Sequence, residues 1–204
     1  MYQTVIKQLR TAYDRKVDER AQRSLEQWKI EERAHFLQQL QAEGKQTLLE
    51  IGAGSGQDSL FFQENGLTVT CTDLSPEMVK HCRAQGLNAY VMDFANLAFP
   101  EKFDAIYARN CLLHVPKADF PGILVLIRGL LHPGGLFFLG QYGGIDQEGV
   151  WEGDHYEPKR FFARYLDDQI KALVSTLFDL IYFKRVLLDD GSTGHFQSMI
   201  LRKS

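Results

Sequence analysis

The chain has 204 residues, of which 45% are hydrophobic and 24% charged, with a net charge of -3. This composition predicts one globular domain with a sizeable core, and the absence of a basic tract gives no reason to expect a nucleic-acid partner. The longest apolar run, residues 122–131, is interrupted by Arg128 and is too short to span a bilayer. The first ten residues have no apolar core, so they do not resemble a signal peptide.

The cysteines predict a reduced protein without a zinc site. Cys71, Cys82 and Cys111 are spaced by intervals that fit no zinc pattern, and their odd number does not suit a disulfide framework. We therefore expect reduced thiols, no bound metal and a cytoplasmic location.

Residues 1–45 have the spacing of two amphipathic helices. The positions that share the first helical face are Ile6, Leu9, Tyr13 and Val17. The apolar positions of the second helix are Leu25, Trp28, Phe36, Leu37 and Leu40. We expect this helix to end at Gly44.

From Thr47 onward, short apolar runs alternate with helical segments. The predicted strands are TLLEI, LTVTCTD, NAYVMD, FDAIYAR and GGLFFLGQY, and the predicted helices are DSLFFQEN, SPEMVKHCRAQ and ADFPGILVLIRGLL. Ser75 and Pro76 are typical of a helix N-cap and first position. This alternation predicts a doubly wound α/β fold, in which a mostly parallel sheet carries helices on both faces.

The C-terminal part has a different pattern. A loop over residues 143–160 leads to a helix near residues 167–176 and then to the strands LFDLIYFKRVLL and HFQSMILRKS. The turn DDGSTG between them predicts an antiparallel hairpin.

A glycine-rich turn follows the first predicted strand. Gly52, Gly54 and Gly56 form a G-x-G-x-G pattern, whereas a dinucleotide fingerprint needs a third glycine at position 57, which is Gln57. No Gly-Lys-Ser/Thr follows, which excludes a P-loop. Glu50 precedes the glycines and would repel a pyrophosphate, but it suits a ligand with an ammonium or sulfonium group.

Two further acids end the next two strands. Asp73 is placed to accept both hydroxyls of a ribose. Asp93 is placed to accept an exocyclic adenine amine, while Phe94 beside it faces the ring. In strand order, the three acids suit an amino acid, a ribose and an adenine.

These motifs resemble the class I S-adenosylmethionine-dependent methyltransferases. The matching segments are LLEIGAGSGQDS, CTDLSPEMV, VMDFANLAF, FDAIYARNCLLHV and LLHPGGLFFLG, and the resemblance covers residues 45–204. It implies seven strands in the order 3-2-1-4-5-7-6 with the last strand antiparallel, and an N-terminal helical lid. It divides a single domain, 1–204, into N-terminal helices (1–45), a cofactor-binding core (46–142) and an acceptor loop, helix and hairpin (143–204).

The resemblance also implies S-adenosylmethionine as cofactor and S-adenosylhomocysteine as product. The expected cofactor-binding residues are Tyr13, Glu50, Gly52, Ala53, Gly54, Gly56, Asp58, Asp73, Leu74, Met78, Asp93, Phe94 and Arg109. Arg109 pairs either with the cofactor carboxylate or with a structural acid, and Tyr13 either bonds that carboxylate or is a core aromatic. His114 is either a base or substrate contact near the methyl group, or a structural residue.

The segment 140–162 is the expected acceptor site. Its candidate contacts, together with His114, are Tyr142, Trp151, Asp154, Tyr156 and Arg160. Aromatic rings with carboxylates suit a cationic or amine acceptor, whereas Lys159 and Arg160 suit an acid. The remaining alternative is a surface loop that packs Trp151 onto the sheet.

We expect methyl transfer by in-line attack on the sulfonium methyl, with a small-molecule acceptor. The expected partners include no nucleic acid or membrane, and the protein is expected to be a monomer or homodimer, with residues 1–45 serving as a lid or a dimer contact. A non-catalytic cofactor-binding module is the alternative. A nicotinamide oxidoreductase is disfavoured by Gln57.

Overall fold

The computed structural model describes residues 2–22, 24–188 and 194–204. The helices are α1 (Tyr2–Asp14), α2 (Val17–Ala21), α3 (Gln27–Ala42), α4 (Gln57–Glu64), α5 (Pro76–Ala84), the 3-10 helix Leu112–His114, α6 (Phe120–Leu130) and α7 (Asp167–Val174). The strands are β1 (Thr47–Ile51), β2 (Thr68–Asp73), β3 (Asn88–Val91), β4 (Phe103–Arg109), β5 (Leu131–Gly143), β6 (Gln147–Val150), β7 (Phe161–Arg164), β8 (Asp179–Leu187) and β9 (His195–Arg202).

Seven of these strands form one sheet in the order β3-β2-β1-β4-β5-β9-β8. All neighbours pair in parallel except β9, which is antiparallel to β5 and β8. With β8 and β9 as the sixth and seventh strands, this topology confirms the predicted doubly wound α/β fold. Residues 189–193, which include most of the predicted DDGSTG turn, lie outside the described residues.

A small antiparallel sheet of β6 and β7 interrupts the segment predicted as a loop. Sequence patterning does not predict β6, because Gln147, Glu148 and Gly149 form no alternating apolar pattern. The two strands hold the segment against the carboxyl end of the main sheet, where β7 contacts the 3-10 helix.

The main sheet buries a core on both sides. On the front face, Ile106 and Phe137 pack with residues of α1, α6 and α7. On the back face, Tyr107 and Phe138 pack with Phe36 of α3 and with α4. Strand side chains alternate between the two faces, so consecutive residues serve different cores.

The N-terminal region differs in detail from the two predicted helices. α1 ends at Asp14 and Val17 begins α2, while Leu25 lies before α3. α3 packs on the back face, whereas residues of α1 and α2 line the cavity at the carboxyl ends of the strands.

Two further expectations concern the cysteines and membrane spans. The three cysteines are buried free thiols. Among the described residues, no helix has the length and apolarity needed to cross a membrane.

Candidate functional site

The glycine loop between β1 and α4 has a left-handed backbone. The φ angles of Gly52, Gly54 and Gly56 are 73°, 56° and 81°, a region that residues with a Cβ rarely adopt. A Cβ at position 52 would lie only 2.4 Å from Cβ of Cys111, so the close approach of the β4 end also requires glycine there. The loop therefore presents bare backbone at the carboxyl edge of the sheet, where such folds bind ligands.

Asp73 is fixed at the end of β2. One carboxylate oxygen accepts the Gly54 amide at 2.8 Å and the other accepts the Ser75 amide at 2.9 Å. Burial raises the pKa of Asp73 despite these two hydrogen bonds. Ser75 also caps α5 by accepting the Met78 amide at 3.1 Å, which confirms the predicted cap and holds the turn in place.

A small cavity lies between the glycine loop and α1–α2. Its volume of about 40 Å³ is enough for only a few water molecules. Its lining residues are Leu9, Tyr13, Arg20, Gly52, Gly54, Asp73, Leu74, Met78, Phe94, Arg109, Asn110, Cys111 and His114. The fold thus brings most of the expected cofactor residues to one place, together with His114.

Tyr13 and His114 form a hydrogen-bonded pair in this cavity. His114 Nδ1 lies 2.7 Å from the Phe161 carbonyl oxygen, which can only accept, so Nδ1 carries the imidazole proton. Nε2 must therefore accept the bond from the Tyr13 hydroxyl, 2.8 Å away. Arg160 Nη1 donates to the same hydroxyl oxygen at 3.2 Å.

The imidazole of His114 is held neutral. Burial lowers the pKa of His114 to about 3; the hydrogen bond to the Phe161 carbonyl opposes this shift, and the charges of Arg160 and Arg20 add to it. A histidine with so low a pKa is a poor proton acceptor near neutral pH. Its position instead orients the Tyr13 hydroxyl.

Two expected acceptor residues, Tyr156 and Arg160, contact α1 and α2, and a third, Asp154, holds Arg160 in place. Asp154 accepts two bonds of 2.8 Å from the guanidinium of Arg160 and a third, of 3.0 Å, from its backbone amide. Burial alone would raise the pKa of Asp154, but these bonds lower it to about 2. The Arg160 guanidinium lies 3.6 Å from the ring centre of Tyr156, whose hydroxyl accepts a bond from Arg20 at 3.3 Å.

Two expected cofactor residues are instead buried beneath the glycine loop. Glu50 accepts a bond from the Ser59 hydroxyl, and burial raises its pKa well above the usual range. Asp58 accepts bonds from Arg33 at 3.0 Å and from Arg109 at 2.8 and 2.6 Å. Asp58 does not line the cavity and is held by two arginines, so its assignment to the cofactor stays a prediction that this geometry does not favour. For Arg109 the geometry supports the structural ion pair.

Three other expected cofactor residues do not line the cavity. Asp93 accepts the Ala95 amide at 2.8 Å and the Asn96 side chain at 2.7 Å, which shapes the turn that positions Phe94. Gly56 and Ala53 face α5 and β3 rather than the cavity.

Tyr142 and Trp151 do not line this cavity, and their assignment to the acceptor stays a prediction. Tyr142 follows the strand alternation of β5 onto the back face, where its ring meets Phe196 edge-on. Trp151 packs edge-on against Phe162 of the small sheet and remains 41% exposed.

Sequence reasoning missed Arg20, Asn110 and Cys111 among the lining residues. The helical pattern in the sequence does not predict the short helix α2, so it does not point to Arg20. Asn110 has a φ of 54°, and asparagine is enriched in this left-handed region, so its place directly after β4 was a usable signal. Cys111 lines the cavity because Gly52 leaves room for it.

The topology and the glycine–acid pattern define the class I S-adenosylmethionine-dependent methyltransferase fold. Residues 49–139 match the family described as "Methyltransferase domain". This match covers somewhat less than half of the chain and, together with the fold, confirms the resemblance seen in the sequence.

The similar proteins share the fold but differ in chemistry. A ubiquinone biosynthesis O-methyltransferase of Xylella fastidiosa is 35% identical over 100 residues, which are 45% of this chain and 40% of the relative. The chain thus matches about two fifths of that relative's length. The 1,6-didemethyltoxoflavin-N1-methyltransferase of Burkholderia thailandensis, solved with 1,6-didemethyltoxoflavin and S-adenosylhomocysteine, has a TM-score of 0.76 at 21% identity and covers 100% of this chain and 91% of its own. The [4+2]-cyclase SpnF has a TM-score of 0.63 at 17% identity, and the match covers 78% of this chain and 75% of the SpnF chain.

Proposed function

We propose that this protein transfers the methyl group of S-adenosylmethionine to a small-molecule acceptor. The observation that carries the proposal is Asp73, whose carboxylate is fixed by two backbone amides at the mouth of the glycine loop and lines the cavity. The named relatives use oxygen and nitrogen acceptors, and both remain candidates for this chain. The three buried free thiols support a cytoplasmic location.

The lining residues fit the three parts of the cofactor. Asp73 suits the ribose hydroxyls, while Leu74, Met78 and Phe94 supply an apolar wall for the adenine. Gly52 and Gly54 leave their backbone open to the methionine part, next to Arg20.

Arg20 is the best partner for the cofactor carboxylate. Its Nη2 lies 3.4 Å from the position of a Cβ on Gly54, and its buried Nε has no hydrogen-bond partner among the described residues. The other cationic residue of the cavity, Arg109, directs Nε and Nη2 to Asp58. A guanidinium with a free buried donor favours an anion.

The cofactor supplies an activated methyl group, so the chain has to position the acceptor and exclude water. Tyr13 and His114 lie where α1 meets the 3-10 helix, and the neutral His114 fixes the direction of the Tyr13 hydroxyl. We therefore assign His114 a positioning role and place the Tyr13 hydroxyl toward the acceptor. Because the cavity holds only a few waters, α1 and α2 must move outward to admit the cofactor.

Calorimetry with S-adenosylhomocysteine tests the proposal. We expect binding to the wild type, and a loss of about 1–3 kcal/mol in Asp73→Ala, the range for removing a hydrogen bond to a charged group. Asp179→Ala, at an exposed site on β8, is the matched control and should bind normally. Unchanged affinity in Asp73→Ala would contradict the assignment. A metabolite panel assayed for S-adenosylhomocysteine release then tests turnover.

A binding module, or a catalyst of another reaction, is the second candidate. The similarity to a [4+2]-cyclase supports it, since one fold hosts different reactions. Cofactor binding without methyl transfer to any member of a broad panel would favour this candidate.

A further inference from the structure

Gln141, near the carboxyl end of β5, is a buried residue whose side chain has no hydrogen-bond partner. It is 0% exposed, and neither its amide nitrogen nor its amide oxygen meets a partner among the described residues. Buried polar groups are almost always paired, and an unpaired one costs about 1–3 kcal/mol. A methionine or leucine would fill this position without that penalty.

The neighbouring strand shows how such an amide is normally satisfied. Gln197 of β9 lies directly opposite Gln141, so both side chains are on the front face. The Gln197 amide nitrogen donates to the Tyr165 carbonyl at 2.9 Å and to Asp167 at 2.8 Å. The Gln197 oxygen has no partner, which extends the unpaired polar surface beside Gln141.

A second unpaired amide lies on the other side of Gln141. Asn110, which follows β4, donates its backbone amide to the Gly140 carbonyl at 2.7 Å, so it sits beside the end of β5. Its side-chain oxygen is buried without a partner, and its backbone is held at a φ of 54°. Backbone strain of this kind concentrates at functional sites. Asn110 also lines the cavity that contains His114.

We propose that Asn110 and Gln141 recognise the acceptor through a neutral edge that carries adjacent N–H and C=O groups, as in a lactam or cyclic amide. This inference rests on the proposed function. An amide side chain both donates and accepts, so it complements such an edge.

The surroundings favour a neutral group over a charged one. Leu139 and Met199, on the same face as Gln141, are fully buried and apolar. An ion placed beside them would lose its hydration, and the nearby Asp167 carboxylate is already paired with Gln197, His195 and Arg185. Selection by buried amides is also strong, because an analogue that lacks the matching groups leaves them unpaired.

The test uses two fused-ring probes of the same shape, 2-quinolinone and quinoline, titrated into the protein saturated with S-adenosylhomocysteine. Only 2-quinolinone has the N–H/C=O edge. We expect it to bind at least about fivefold more tightly than quinoline, since two net hydrogen bonds contribute roughly 1–3 kcal/mol.

Two variants locate the effect. Gln141→Met preserves the length and volume of the side chain, and Asn110→Gly removes the amide while accepting the left-handed backbone without strain. We expect either change to reduce the preference to less than about twofold, and Gln141→Met to leave the affinity for S-adenosylhomocysteine unchanged. The matched control Gln63→Met, at an exposed site on α4, should retain the preference.

Equal binding of the two probes, binding of neither, or a preference that survives in both variants would overturn the inference. Absence of S-adenosylhomocysteine binding in the first step would instead contradict the proposed function. Should Gln141→Met fail to fold, Asn110→Gly decides alone.

Discussion

The two arginines of the cavity give the sharpest test of how the site is divided between binding and structure. Arg109 donates bonds of 2.8 and 2.6 Å to Asp58, whose side chain is only 4% exposed. Arg20 donates to the Tyr156 hydroxyl at 3.3 Å and keeps an unpaired buried Nε. Substitution of each arginine by methionine removes the charge but keeps the packing of the stem.

Arg109→Met should destabilise the fold. Breaking a buried ion pair costs about 3–5 kcal/mol, and we expect a value near 3 because Arg33 still pairs with Asp58. For a domain of this size that corresponds to a melting temperature lower by about 6–12 °C. The affinity for S-adenosylhomocysteine should change less than about threefold, a shift of well under 1 kcal/mol.

Arg20→Met should show the opposite pattern. Loss of one long hydrogen bond to Tyr156 costs about 0.5–1 kcal/mol of stability. Loss of a charge-assisted bond to the cofactor carboxylate should weaken S-adenosylhomocysteine about 10- to 150-fold, or roughly 1.5–3 kcal/mol.

Calorimetry and urea unfolding of the two variants, with the exposed Arg10→Met as control, separate the two roles. Weakened binding in Arg109→Met with normal binding in Arg20→Met would refute the assignment. Adenosine, which lacks the carboxylate, should bind wild type and Arg20→Met equally. If adenosine binds the two proteins unequally, the effect of Arg20 does not arise from the cofactor carboxylate.

Two further predictions concern the site. Burial lowers the pKa of His114 to about 3, so the folded state binds fewer protons than the unfolded state between pH 3 and 6.5. Relative to His114→Gln, the free energy of unfolding of the wild type, measured in urea, should therefore fall by about 1.4 kcal/mol per pH unit below pH 6.5. The same pH dependence in both proteins would contradict a neutral buried imidazole. Gly52→Ala should destabilise the protein by about 1–3 kcal/mol more than Gly66→Ala. Both glycines have positive φ, but a Cβ at position 52 would meet Cys111, whereas a Cβ at position 66 would meet nothing within 4 Å. Equal unfolding midpoints of the two variants would show that the glycine loop relaxes freely.

The expected site residues that the structure brings together at the cavity are those whose position depends on the backbone alone. Parallel strands bring their carboxyl ends to one edge of a sheet, so Asp73, Gly52 and Gly54 come together as soon as the strands are recognised. The same reasoning placed Phe94 and Leu74 in the cavity wall.

Local sequence is least informative where a partner distant in sequence decides what a side chain contacts. Asp58 follows the glycine loop directly, but Arg33 and Arg109 approach it from α3 and β4 and use both its oxygens. Tyr142 belongs to an aromatic-rich segment, yet the extension of β5 to Gly143 turns its ring to the back face. Neither outcome follows from local sequence.

Arg20, Asn110 and Gln141 share a property that no residue pattern records, since each has a buried polar atom that meets no partner in the part of the chain that the structure describes. A sequence shows which groups are able to form hydrogen bonds, and only the packed structure shows which bonds remain unmade. The fold encloses all three near the carboxyl edge of the sheet, which costs stability. A charged donor beside the glycine loop suits a carboxylate, whereas neutral amides beyond the end of β4 suit a neutral acceptor. The difference in charge between these unpaired groups therefore separates the cofactor end of the site from its acceptor end.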